Sequence, residues 1–151
     1  MTVEQRSALK REIRVMARPE TIFSFLTDPS KMVRWKGSQA DLDPRPGGIY
    51  RVVFNTRDTV QGKFVELVPN QRVVFTWGWE GSGAVPPGSS TVEITLKRDG
   101  NGTIVTLEHR DLPEEARAKH MLGWDLYLPR LATVASGQDP GPDPNKEPRD
   151  M

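Results

Sequence analysis

Cysteine is absent from this chain of 151 residues. Its absence excludes disulfides, thiol catalysis and any thiolate metal site. Histidine is scarce: His109 and His120 are the only two, so no metal and no other cofactor is expected. Long apolar runs are missing as well. None approaches the length that crosses a bilayer, and the first seven residues lack the apolar core of a signal peptide. No membrane insertion is expected, and the expected compartment is the cytoplasm. The chain also lacks an excess of charge of either sign, with 21 basic residues against 20 acidic ones. No run of Lys or Arg is longer than two, so nothing draws the chain toward nucleic acid.

What is present suits one ordinary domain. At this length folding hides roughly 70% of the unfolded surface, enough for a core and a modest pocket. The segment 73–79 reads Val-Val-Phe-Thr-Trp-Gly-Trp. Strand side chains alternate faces, so Val73, Phe75, Trp77 and Trp79 form one apolar, largely aromatic row. Val74, Thr76 and Gly78 fall on the other face. Such a row needs a large partner: a helix, a second sheet or a ligand.

Residues 10–16 alternate as a first strand, with Ile13 and Val15 on one side. Pro19 opens a short helix through Ile22, Phe23 and Leu26. Asp28 or Ser30 caps a second one that runs to Trp35. After Trp35 the chain turns to strands. Turn chemistry fills 43–48, then strand patterns occupy 49–54, 59–68, 73–79, 91–96 and 103–109. Gly62 sits where a bulge or bend would fit. The glycine- and proline-rich stretch 81–90 reads as a long loop. From Pro113 the period changes: Met121, Trp124, Leu128, Leu131 and Ala135 form one helical stripe, and Gly137 ends it. Residues 138–151 are rich in proline and charge. The expected organisation is one domain over 8–136, a flexible N-terminus over 1–7, and a disordered proline-rich tail over 137–151. The fold class is α+β.

Several groups of residues together resemble the START-like superfamily, and within it the branch of the activator of the heat shock protein 90 ATPase. They include Pro19 with Phe23, Leu26-Thr27-Asp28-Pro29, Trp35, and Pro46-Gly47-Gly48-Ile49-Tyr50-Arg51. Further along come Gly62-Lys63-Phe64-Val65-Glu66, the 73–77 segment, Thr91 to Leu96, Leu107-Glu108-His109 and Gly123-Trp124. The resemblance covers about residues 8–136. It implies a helix-grip fold: a curved antiparallel sheet of about six or seven strands wrapped around a long C-terminal helix, with two short helices after the first strand. It also implies an apolar cavity between sheet and helix in many members.

The candidate ligand-binding residues are Trp35, Phe64, Phe75, Trp77, Trp79, His109, Met121, Trp124 and Leu128. An apolar pocket with a few orienting polar groups has this composition. Plain packing of helix on sheet has it too. Trp35 would close the entrance and the 81–90 loop would gate it. His109 shares parity with Val105 and Leu107, so it points inward, where an imidazole serves as ligand partner or as acid and base. Three functions follow. The leading one is a non-enzymatic START-like module that binds a small hydrophobic molecule between sheet and helix. The second, implied by the resemblance, is an interaction protein with a chaperone partner. The third is a cyclase or dehydratase using His109 with the Tyr50 or Thr106 hydroxyl, although Thr106 has the opposite parity.

Overall fold

The computed structural model describes residues 8–145. The 1–7 segment and the last six residues of the expected tail lie outside the described residues. The elements run β1 (Leu9–Val15), α1 (Pro19–Thr27), α2 (Pro29–Met32), β2 (Gln39–Leu42), β3 (Ile49–Val53), β4 (Thr59–Val68), β5 (Arg72–Trp77), β6 (Ser90–Asp99), β7 (Gly102–Arg110) and α3 (Glu114–Ala135).

All seven strands form one curved antiparallel sheet in the order β1-β7-β6-β5-β4-β3-β2. The α+β helix-grip architecture therefore stands. α3 lies against the sheet, and Arg11 of β1 pairs with its Asp125 at 2.7 Å. Local chemistry explains the short helices. Pro19 occupies the first turn of α1, where its missing N–H costs nothing. Asp28 precedes Pro29 and is extended, which ends α1. Its carboxylate then accepts from the Ser30 N–H at 2.9 Å and caps α2.

Three details differ from the sequence reading. The short strand β2, half polar, pairs with β3 at the sheet edge and had no clear alternation of its own. The bulge in β4 falls between Phe64 and Glu66, not at Gly62. Gly62 serves a close approach instead, because a Cβ there would overlap the Thr76 backbone carbonyl of the neighbouring strand. The tail also differs. Residues 137–145, expected to be disordered, fold back on the domain. The Arg130 guanidinium donates to the carbonyls of Pro140, Gly141 and Pro142, and Asp143 accepts from the Gly37 N–H and the Tyr127 hydroxyl. Composition missed this because these anchors are polar and proline offers carbonyls even without an N–H.

Candidate functional site

The aromatic row begins on β5 and runs off its end. Val73, Phe75 and Trp77 lie in the strand and are buried. Gly78 breaks the strand, since a Cβ there would collide with the Pro86 backbone carbonyl. Trp79 is beyond it, tied to Val60 of β4 by an isolated bridge. The two ends of this row meet different surroundings.

At the inner end the rings pack on each other. Tyr50 stacks on Phe75 with centroids 4.0 Å apart and meets Phe64 edge-on at 5.5 Å. At the outer end a cavity of about 730 Å³ opens between sheet and helix. Trp77 and Trp79 form its sheet wall, and His120, Trp124 and Tyr127 its helix wall. Ala84 and Val85 of the 81–90 loop border it. Its rim carries Asp58, Glu80, Glu115 and Lys119, so a polar mouth surrounds an aromatic interior.

Of the expected site residues, the structure gathers Trp77, Trp79 and Trp124 on the cavity. Trp35, Phe64, Phe75, His109, Met121 and Leu128 do not border it. Trp35 is fully buried, not at an entrance. Its indole N–H donates to the Phe25 carbonyl at 3.0 Å, and its own carbonyl accepts from Arg130 at 2.9 Å. Phe64, Phe75 and Leu128 are core, and Met121 is half-buried. Strand and helix parity identified the right face but not how far along it the packing opens.

His109 lies one layer behind the cavity and is held on both nitrogens. Nδ1 accepts from the Trp124 indole N–H at 3.1 Å. An indole nitrogen only donates, so the imidazole proton sits on Nε2 and is given to Ser90 Oγ at 2.9 Å. Ser90 Oγ in turn donates to the Trp77 carbonyl at 2.8 Å. The chain of donors is complete and needs a neutral ring. Burial, with the nearby His120 and Lys36, pushes its pKa down to about 2. His120 follows the same logic: Nδ1 donates to the Ala116 carbonyl at 2.8 Å and Nε2 accepts from the Trp79 indole at 3.0 Å. Burial lowers its pKa as well. The partners required by a cyclase are also placed elsewhere: Thr106 faces Glu12 on the exposed surface, and the Tyr50 hydroxyl meets Lys36.

Lys36 is the functional candidate that the sequence reading missed. It is 2% exposed and lines the cavity. Its Nζ lies 2.6 Å from Tyr50 Oη. Five rings surround it, with centroids 4.9 Å away for Trp35, 5.1 Å for Trp77 and Trp124, 5.4 Å for Tyr50 and 5.9 Å for Phe75. Burial pushes its pKa down to about 7, against the pull of Asp143. The same burial raises the Tyr50 phenol. Beside this amine the Trp77 indole N–H is buried with no hydrogen-bond partner among the described residues. One basic residue after a tryptophan carries no signal in a sequence; the cage forms only when α2, β3, β5 and α3 converge.

Comparison with known proteins agrees with this fold. A sequence profile of the family described as Activator of Hsp90 ATPase homolog 1-like protein matches residues 16–136. The chain belongs to this family. An AHSA1-like protein from Rhizobium etli, solved in solution, is 46% identical over 91% of this chain and 86% of its own, with a TM-score of 0.71. The human Activator of 90 kDa heat shock protein ATPase homolog 1 is 24% identical over 72% of this chain. This chain spans 31% of that relative's length. At the level of fold alone, the Aha1 dimer from Colwellia psychrerythraea superposes with a TM-score of 0.76 at 19% identity, over 86% of this chain and 96% of that one. Among the described residues no helix is long and apolar enough to cross a membrane.

Proposed function

We propose that this family member binds a small, largely apolar molecule in the cavity between Trp77, Trp79 and Trp124. The observation that carries the reading is the cavity itself. Its volume of about 730 Å³ lies in the range of small-molecule sites. Its walls are aromatic, its rim is polar, and Lys36 lies among the rings of Trp77 and Trp124 at its inner side. Binding by this site needs no catalytic group.

Gly123 offers a clean test. It borders the cavity, and a Cβ built on it meets nothing within 4 Å. Gly123→Leu therefore fills the cavity from the helix side while improving helix propensity. Calorimetric titration with naphthalene-sized ligands should show binding to the wild type and its loss in the filled variant, with the melting temperature held or raised. Equal binding by both proteins would sink the reading.

A second reading is favoured by the family and by the human relative's name: contact with a chaperone of the 90 kDa heat shock class. It is separable by experiment. Stimulation of that chaperone's ATPase by micromolar protein, unchanged in Gly123→Leu, supports it; no stimulation and no co-elution removes it.

A further inference from the structure

The least explained group in the molecule is the Lys36 amine. A buried ammonium ordinarily sits against a carboxylate or several oxygen acceptors. Here Nζ has one hydrogen-bond partner among the described residues, the Tyr50 hydroxyl at 2.6 Å. Asp143 is felt electrostatically, yet its oxygens are bonded to Gly37, Tyr127 and Asn145. The rest of the shell is aromatic. Such a cage takes the amine out of water. The Trp77 ring lies 5.1 Å from the amine, and its buried indole N–H has no acceptor among the described residues.

The amine and the Tyr50 hydroxyl at 2.6 Å together fit one ligand function. A carbonyl presents an electrophilic carbon for the amine and an oxygen that can take up the protons the nitrogen gives up. We propose that Lys36 condenses with the carbonyl carbon of an apolar aldehyde or ketone seated in the cavity. This rests on the cavity-binding reading and names the chemical class of its ligand. The amine lone pair forms the C–N bond, and a nitrogen proton passes to the former carbonyl oxygen to give a carbinolamine. Loss of that hydroxyl with a second nitrogen proton releases one water and leaves the imine. Amine and carbonyl are the only reactants, and no electrons are exchanged with another partner. The Tyr50 hydroxyl, kept protonated by burial, stands at the nitrogen where both proton transfers occur. Burial of Lys36 also makes the neutral amine a substantial species near pH 7. The titratable groups that interact with it are Tyr50 on β3, His109 on β7 and Asp143 after α3, and of their charges only that of Asp143 favours the charged form of the amine.

The test uses the full chain with 2-naphthaldehyde and cyanoborohydride at pH 7, followed by peptide mapping. 2-Methylnaphthalene, which has the same shape without the carbonyl, is titrated in parallel by tryptophan quenching. The expected result is one reduced adduct on Lys36, at least about tenfold above Lys119 on the cavity rim. Lys36→Met should abolish that adduct while the hydrocarbon still quenches. Tyr50→Phe should slow it by about a hundredfold. If Lys36→Met fails to fold, the wild-type map and the Tyr50→Phe rate decide. Quenching by both probes without an adduct, or with adducts spread over the seven lysines, overturns the amine chemistry and leaves the cavity reading intact. Absence of quenching by either probe overturns both.

Discussion

The two halves of the sheet–helix interface share one strand and one kind of side chain, yet they are in different physical states. Around Phe75 the interface is closed: Tyr50, Phe64 and Phe75 fill each other's space in stacked and edge-on contact. Around Trp79 the rings keep their polar tips bonded, Trp79 to His120 and Trp124 to His109, but leave a cavity between them. The closed half derives from side chains that carry no polar atom or stack tightly. In the open half two of the three indoles, Trp79 and Trp124, reach acceptors, which fixes their ring directions before the space is filled. Aromatic residues thus make a core where shape alone decides and a pocket where hydrogen bonds decide first.

This contrast can be broken by substitution. Phe75→Ala should cost about 4 kcal/mol, because the closed half collapses poorly around a deleted ring. Trp79→Ala should cost clearly less, because Trp79 is only half-buried and already borders empty space. Urea unfolding of the pair measures the difference, and equal losses would erase the distinction between the halves.

Lys36 belongs to both halves, and its burial sets a pH dependence. Its folded pKa, near 7, lies below the ordinary 10.5 of an unfolded lysine. Between these values the unfolded chain binds the extra proton, so stability rises with pH across that window. Wild type should therefore gain about 4 kcal/mol relative to Lys36→Met between pH 7 and pH 10.5. A difference that stays flat would place the amine in water.

His109 acts in the same direction at lower pH. Its folded pKa, depressed to about 2, leaves the unfolded imidazole as the one that protonates below 6.5. The stability it provides is present above 6.5 and falls with acidification, by about 1.4 kcal/mol per pH unit. His109→Phe keeps a ring but cannot protonate, so its unfolding free energy should lack that component of the slope. An unchanged slope would mean that His109 is charged in the folded protein.

Much of this was legible in the sequence. Period-two and period-3.6 patterns placed β5 and α3 and paired Trp77 with Trp124, because burial of one face governs both. Depth along the face was not legible. Phe75 and Trp77 are two residues apart with the same parity, yet one is core and the other wall, and the difference is set by Gly78 and the loop that packs over it. Lys36 and the 137–145 segment were missed for a related reason. Both read as solvated in one dimension and are held through partners more than ten residues away in the chain, Tyr50 for the buried amine and Gly37 for Asp143.

The four tryptophans supply the most direct test of the central claim, since three line the cavity and Trp35 is fully buried and does not border it. Indole N–H resonances can be followed by NMR as 2-methylnaphthalene is added. The account predicts saturable shifts for Trp77, Trp79 and Trp124 and a stationary Trp35 signal. Four stationary signals, or a shift of Trp35 as large as the others, would contradict it.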